Sequence, residues 1–111
     1  MPFVCKLNRE IYRVVTEEII CDEVIITEKQ IEHIKERHPG DFEKFSVYMK
    51  ETIESPDYIL KVSKLFTAMI LKEIELDGKK LRLILRIKTS IDPVEYKNSI
   101  ITFQHVRDKE W

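Results

Sequence analysis

The sequence predicts an α+β fold in which N-terminal extended segments and two helices pack on one face of an antiparallel sheet of about four strands. Apolar residues recur at helical spacing between residues 27 and 54, and the period changes to two from residue 58 onward. The 111 residues include 2 glycines and 4 prolines and no linker-like stretch. We therefore expect a single domain over residues 1–111.

The first 26 residues are rich in β-branched side chains and predict two or three short strands or extended pieces. Turns are expected at Asn8-Arg9 and at Cys21-Asp22, which separate the apolar runs. These extended segments are expected to pack on the sheet together with the helices.

Two helices are predicted next. Thr27, with Gln30 three residues later, forms a capping box that starts the first helix, and the Pro-Gly pair after His38 ends it. The second helix is expected to run from Asp41, its predicted N-cap, to Glu54. Apolar residues at helical spacing give both helices a face that can pack on the sheet.

Four strands are predicted from residue 58 onward, over 58–62, 67–76, 81–88 and 98–106. Asp77-Gly78 predicts a hairpin between the second and the third of them. The third strand carries Leu81, Leu83, Leu85 and Ile87 on one face and Arg82, Ile84, Arg86 and Lys88 on the other. Because helices are expected to cover the leucine face, the cationic face is expected to be open.

The orientation of the fourth strand, 98–106, determines which polar side chains lie beside the cations on the open face. Its alternating faces carry either Asn98, Ile100, Thr102, Gln104 and Val106 or Ser99, Ile101, Phe103 and His105. The second set includes an aromatic ring and fits the core better, so Thr102 and Gln104 are expected beside Arg86 and Lys88. Like charges on one sheet face repel each other unless an anion meets them.

The composition indicates a cytoplasmic protein. Apolar residues make up 43% and charged residues 35% of the chain, and no apolar run approaches the roughly 20 residues of a membrane-spanning helix. The N-terminus reaches charged residues too early for a signal peptide. Cys5 and Cys21 lack metal-type spacing and are expected to be free thiols.

The charge is unevenly distributed. The net charge of −1 argues mildly against a general nucleic-acid binder. However, residues 1–56 carry 8 Lys/Arg against 12 Asp/Glu, whereas residues 57–111 carry 11 against 8. An anionic ligand is therefore expected on the second half of the chain.

No metal and no cofactor are expected. His33 and His38 are five residues apart, which is about 140° around a helix, so they cannot chelate one ion from that helix. Two glycines cannot build a phosphate-cradling loop.

His38 is the candidate proton-transfer group. It ends a helix whose dipole favours an imidazolium, and imidazole exchanges protons near neutral pH; a histidine that merely complements the dipole is the alternative. Arg86 and Lys88 are candidate phosphate ligands. Their alternative is a solvated sheet face, paired with Glu73 or Glu75 across the hairpin.

Taken together, these residues suit metal-free cleavage of RNA. That reaction needs proton transfer from the 2′-OH and to the leaving oxygen, cations that stabilise the phosphorane, and donors that position the phosphate. The predicted catalytic residues are His38, Arg86, Lys88 and Thr102. The predicted substrate-binding residues are Arg37, Arg82, Ser99 and Gln104.

Four segments resemble the phage Barnase–EndoU–Colicin–RelE-like (BECR) nuclease domains of bacterial and phage proteins. They are ITEKQIEHIKERHP, SPDYIL, LILRIKTSIDPVEYKNSIITF and the terminal KEW, and the resemblance runs from about Lys6 to the end. It implies helices on an antiparallel sheet of about four strands and a metal-independent ribonuclease of the toxin or effector type. It also implies His38 as the acid/base group, Arg86 and Lys88 as phosphate ligands, and Ser99 and Thr102 as hydrogen-bond donors.

The expected function is an endoribonuclease that cleaves RNA, with tRNA as a candidate substrate, by transesterification to a 2′,3′-cyclic phosphate. The alternative is a catalytically silent BECR-fold module that binds protein or RNA or dimerises, because a fold does not imply its activity. The expected partners are RNA and an antitoxin or immunity protein, without a membrane. A second copy of the chain, covering an exposed strand edge, is a further candidate.

Overall fold

The computed structural model describes residues 3–74 and 78–106. The helices are α1 (Arg9–Tyr12), α2 (Glu28–Arg37), α3 (Asp41–Phe45) and α4 (Met49–Glu54), with a 3-10 turn at Ser46–Tyr48. The strands are β1 (Phe3–Lys6), β2 (Glu23–Ile25), β3 (Tyr58–Lys61), β4 (Thr67–Glu73), β5 (Lys80–Arg86) and β6 (Asn98–Val106). No helix in this part of the chain is long and apolar enough to span a membrane.

The six described strands form one mixed sheet in the order β1-β2-β6-β5-β4-β3. β2 runs parallel to β6, whereas the other neighbouring pairs are antiparallel. The α+β class is therefore confirmed, but the prediction of an antiparallel sheet of about four strands is wrong. The N-terminal segments extend the sheet beside β6 instead of packing on its face, since β2 pairs directly with Asn98 and Ser99.

The hydrophobic core lies between the helices and one face of the sheet. Leu81, Leu83, Leu85 and Ile87 are fully buried there, together with residues from α2 and α4. The predicted division into a covered leucine face and an open face is confirmed within β5, but Lys88 lies beyond the end of this strand and is buried. Removal of this apolar surface from water is the main driving force for docking the helices.

The segment after β1 forms a short helix, so the prediction of an extended piece there is wrong. Asn8 caps α1, because its side-chain oxygen accepts a hydrogen bond from the Glu10 N–H at 3.0 Å. Tyr12 is fully buried, and its hydroxyl donates to the Ile53 carbonyl at 2.7 Å. A long-range contact and a cap thus override the local β propensity.

The first predicted helix is confirmed as α2, and Thr27 accepts a hydrogen bond from the Gln30 N–H at 3.2 Å. The second predicted helix is divided into α3, the 3-10 turn and α4. Gly40, at φ +85°, is the N-cap of α3, so the prediction of Asp41 as the cap is wrong. The Asp41 carboxylate instead accepts from the backbone N–H of His105 at 2.9 Å, which ties α3 to β6.

A β-bulge in β6 changes which side chains reach the open face. Leu85 pairs with Ile100 and Ile84 pairs with Thr102, so Ile101 is the extra residue. Arg86 therefore pairs with Ser99, while Arg82 pairs with Gln104. Thr102 and Gln104 lie on the open face, as predicted, but the expected strict alternation along β6 is wrong, because Ser99 lies on the same face.

The antiparallel pairing of β4 and β5 confirms the hairpin between them. Gly78 has a φ of +69°, a conformation that glycine adopts without strain, whereas Asp77 of the predicted turn lies outside the described residues. The terminal KEW segment also lies outside them. Cys5 and Cys21 are free thiols, as predicted.

Candidate functional site

The predicted site residues lie in two groups along the open face of β5 and β6. One group, the histidine cluster, consists of His38, Arg82 and Gln104. The other surrounds a cavity of about 270 Å³, the cationic cavity, which is lined by Arg86, Lys88, Asp92, Tyr96, Lys97, Ser99 and Ile101. Arg82 and Arg86 are four residues apart on β5, which is roughly 13 Å along a strand.

His38 is held at the point where α2 ends and the chain turns toward α3. Its backbone N–H donates to the Ile34 carbonyl at 2.8 Å, and its own carbonyl accepts from the Asp41 N–H at 3.1 Å. Gly40 follows with the positive φ that reverses the chain. Both backbone groups of His38 are therefore fixed, and the half-buried side chain reaches β6 beside Gln104.

The Gln104 amide links His38 to Arg82. A guanidinium has only donors, so the amide oxygen faces Arg82 and lies 3.1 Å from its Nε. The amide nitrogen then faces the His38 ring and lies 2.6 Å from Nε2 and 2.9 Å from Nδ1. A donating N–H needs a lone pair on the ring nitrogen that it faces. The imidazolium has no such lone pair, so the arrangement favours the neutral imidazole.

The pKa of His38 is lowered from its ordinary value, with burial as the largest cause. Asp41 raises this pKa, whereas Arg82, Arg37 and His33 lower it. The position at the helix end predicts a raised pKa for His38, and this prediction is wrong because the pKa is lowered. Burial and the neighbouring cations outweigh the favourable charge of Asp41.

Two further predicted residues lie near the histidine cluster. Arg37 is the exposed last residue of α2 and immediately precedes His38. Thr102 pairs with Ile84, so it lies on β6 between the register positions of Gln104 and Ser99. Thr102 thus occupies the strand segment that separates the two groups.

Arg86 contacts three different groups beside the cationic cavity. Its guanidinium contacts the Ile87 carbonyl, bonds to the Asp92 carboxylate at 2.9 Å and lies 5.4 Å from the centre of the Phe66 ring. A hydrogen bond from the Thr89 backbone N–H and the charge of Arg86 lower the pKa of Asp92. Arg86 thus pairs with Asp92 rather than with Glu73, whereas Glu75, the other predicted alternative partner, lies outside the described residues.

Lys88 brings a buried charge to the same cavity. Only 9% of its surface is exposed, and its ammonium donates to the Val94 carbonyl at 3.2 Å. This partner is a neutral carbonyl, and no carboxylate of the described residues forms an ion pair with the Lys88 ammonium. A buried ammonium without a counter-ion is unfavourable, so an anion in the cavity would relieve this cost.

Lys97 and Ser99 complete the rim of the cavity. The Lys97 ammonium lies 3.7 Å from the Glu23 carboxylate, and Ser99 Oγ donates to the Lys97 carbonyl at 3.3 Å. Three cationic side chains and the hydroxyl-bearing Tyr96 and Ser99 thus line this space. The carboxylate in its lining, that of Asp92, is paired with Arg86. The electrostatics favour an anion.

Residues 6–111 of the chain match the phage-Barnase-EndoU-ColicinE5/D-RelE like nuclease 2 family. The chain is a member of this nuclease family. No curated protein and no solved structure shows significant similarity to it.

For a member of the nuclease 2 family, the anion expected at both groups is a phosphate of a nucleic acid. Arginine and lysine side chains on an open sheet face are suited to that ligand. In residues 3–74 and 78–106, no group of three or more His, Cys, Asp or Glu side chains is arranged to hold a metal ion.

Sequence reasoning missed Tyr96, Lys97, Asp92 and Phe66. The first three lie in the loop before β6, where the sequence shows no periodicity that could place them. Phe66 has a φ of +55°, which is uncommon for a residue with a side chain. The Asp-Pro pair in that loop is the one local signal, since it indicates a turn that brings Asp92 back toward β5.

Proposed function

We propose that this nuclease-family member is an endoribonuclease that cleaves RNA by transesterification to a 2′,3′-cyclic phosphate. The observation that carries the proposal is the histidine cluster, which combines a half-buried neutral imidazole with a guanidinium and an amide on an open sheet face. These are the groups that in-line attack by a 2′-oxygen requires.

His38 acts as the general base in this mechanism. Its neutral imidazole accepts the 2′-OH proton while the 2′-oxygen attacks the phosphorus and the bond to the 5′-oxygen breaks. The leaving 5′-oxygen takes a proton from water, and the imidazolium returns its proton to water. The products are a 2′,3′-cyclic phosphate and a free 5′-hydroxyl, and no water is consumed.

Arg82 and Gln104 act on the same phosphate. In the free protein the Gln104 N–H occupies the His38 nitrogen that must accept the proton. When RNA binds, this N–H turns to a phosphate oxygen and releases the base, while the guanidinium of Arg82 stabilises the phosphorane charge. Thr102 donates its hydroxyl to the phosphate from the adjacent stretch of β6.

Arg86 and Lys88 hold a second phosphate of the same strand. They lie too far along β5 to contact a phosphate beside His38, and the buried ammonium of Lys88 already favours an anion in the cationic cavity. The residues predicted from the sequence as one catalytic centre are thus proposed to act at two phosphates. Arg37 and Ser99 contribute further contacts to the backbone.

The proposed chemistry needs no metal ion. A metal would supply a nucleophile or neutralise the transition-state charge, and here the 2′-OH is the nucleophile and Arg82 supplies the charge. A reaction that proceeds in EDTA is therefore expected.

A catalytically silent RNA-binding module is the second candidate. The observation that favours it is the pairing of Arg86 with Asp92, which reduces the charge that Arg86 offers to a phosphate. Such a module would bind RNA through the cationic cavity and leave it intact.

A role as a toxin, with an antitoxin or immunity protein as its partner, extends the nuclease proposal. Overexpression of an active endoribonuclease is expected to arrest growth, and a neighbouring gene that restores growth would encode the partner. A homodimer through an edge strand, β1 or β3, is tested by the molecular mass in solution.

The activity is tested by incubating the purified protein with an RNA oligonucleotide in EDTA. We expect products with 2′,3′-cyclic phosphate and 5′-hydroxyl ends. The matched substrate carries 2′-deoxyribose at the mapped cleavage position, and cleavage there should stop because the nucleophile is missing. Cleavage that survives this change would overturn the transesterification mechanism, and binding without cleavage of any RNA would favour the silent module.

A further inference from the structure

A second cavity shares part of its lining, including Tyr96, with the cationic cavity. It has a volume of about 250 Å³ and is lined by Ile25, Thr27, Glu95, Tyr96, Lys97 and Ser99. We call it the Tyr96 cavity. Three of these residues, Tyr96, Lys97 and Ser99, also line the cationic cavity, so a single ligand can occupy both spaces.

The two cavities differ in the chemistry of their unshared walls. The cationic cavity adds Arg86, Lys88, Asp92 and Ile101, whereas the Tyr96 cavity adds Ile25, Thr27 and Glu95. Because Asp92 is paired with Arg86, the charge of Lys88 favours a phosphate in the first cavity, whereas the carboxylate of Glu95 disfavours one in the second. A flat apolar ring suits the second cavity, because the side chains of Ile25 and the 55% exposed Tyr96 line it.

We propose that the two cavities together form a nucleotide subsite, in which the cationic cavity binds a phosphate and the Tyr96 cavity binds the attached base. The inference rests on the proposed function for its ligand class, a nucleotide unit of RNA. It adds a base-binding site, with Tyr96 as the stacking residue, to a face that was otherwise expected to bind only the backbone.

The framework around Tyr96 supports a preformed subsite. The Tyr96 backbone N–H donates to the Pro93 carbonyl at 3.0 Å, which closes the turn before β6. Tyr96 itself is 55% exposed, so its ring is accessible to a ligand. On the phosphate side, the backbone of Lys88 is fixed because its N–H donates to the fully buried Asn98 at 2.8 Å.

The test is an NMR titration of the whole chain with AMP, GMP, CMP and UMP, with ribose 5-phosphate and inorganic phosphate as base-free probes. These ligands contain no internucleotide bond, so the result does not depend on cleavage. We expect mononucleotides to bind about 5- to 150-fold more tightly than ribose 5-phosphate, the range that corresponds to one stacked base. The resonances of Ile25 and Thr27 should shift only when a base is present.

Tyr96→Ala should reduce mononucleotide affinity to that of ribose 5-phosphate measured on the same variant, while Tyr96→Phe should retain the preference for mononucleotides. Tyr58→Ala is the matched control, because Tyr58 is also 55% exposed but belongs to β3. Equal affinity for mononucleotides and ribose 5-phosphate, or no effect of Tyr96→Ala, would overturn the inference. Base-dependent binding without RNA cleavage would overturn the proposed function alone.

Discussion

The charge of His38 decides whether this residue can act as a base. Burial, Arg82, Arg37 and His33 lower its pKa, and Asp41 is the opposing charge. A lowered pKa keeps the imidazole neutral over more of the physiological range, which suits a group that must accept a proton. A residue that only complements the helix dipole would instead be favoured as the charged imidazolium.

The first prediction concerns the pH dependence of RNA cleavage. As the pH falls, protonation of His38 removes the base, so kcat/KM should decrease on the acid side. Because the pKa of His38 is lowered, this decrease should begin below the roughly pH 6.5 of an unperturbed histidine. Initial rates in EDTA across the acid range measure it, and a decrease centred above that pH would contradict the role.

The second prediction concerns Gln104→Glu. A carboxylate at this position faces both His38 and Arg82, and its negative charge favours the imidazolium. The pKa of His38 should therefore rise, as followed through the imidazole C–H resonance in an NMR titration. His33, exposed on α2, is the internal reference and should shift less. An unchanged or lowered pKa of His38 would show that Gln104 does not face its ring.

At the scale of the secondary-structure elements, Asn98 of β6 connects the N-terminal segment to the residues that follow β5. Its side-chain oxygen accepts from the Lys88 N–H at 2.8 Å, and its nitrogen donates to the carbonyls of Cys21 and Glu23 at 2.7 and 2.9 Å. This fully buried side chain thus joins the N-terminal segment to the end of β5, directly beside the cationic cavity.

The third prediction follows from this connection. Asn98→Ala leaves buried backbone groups without partners and should lower the free energy of unfolding by more than about 2 kcal/mol. Asn8→Ala is the matched control, since it removes only an exposed helix cap and should cost about 1 kcal/mol. Urea denaturation measures both, and equal losses would contradict the bridging role of Asn98.

Elements with strong local signals could be predicted from the sequence, and those fixed by distant contacts could not. The capping box at Thr27 and the alternation in β5 are local, and both are confirmed. α1 depends on the burial of Tyr12 against Ile53. The bulge at Ile101 depends on pairing with β5, so no reading of β6 alone could place Ser99 and Thr102 on one face.

At the scale of the whole molecule, the basic second half of the sequence corresponds to the strands and the loop that carry the cations of the open face. β5, β6 and the loop between them supply Arg82, Arg86, Lys88 and Lys97, which lie on or beside the open face. The half of the chain in which the sequence predicts an anion is therefore the half that supplies these cations. It could not show that the cations form two groups, because that separation depends on strand register and on a loop without periodicity.

The fourth prediction concerns the salt dependence of RNA binding, measured with the His38→Ala variant to prevent cleavage. The logarithm of the affinity should fall linearly with the logarithm of the salt concentration. Lys97→Ala should reduce the steepness by about 0.7, the value for one phosphate contact with a single strand. Lys50→Ala, an exposed lysine on α4, should leave it unchanged, and a similar effect of both changes would contradict a localised phosphate site.

The measurement that tests the central claim most directly compares RNA cleavage rates of the wild type, His38→Ala and His33→Ala in EDTA. His33 is an exposed histidine on the same helix, so its substitution controls for loss of an imidazole from α2. The account predicts that His38→Ala slows cleavage roughly 10²- to 10⁴-fold, with His33→Ala close to the wild type and all three proteins folded. Wild-type cleavage that is unaffected by His38→Ala would contradict the account and move the chemistry away from the histidine cluster.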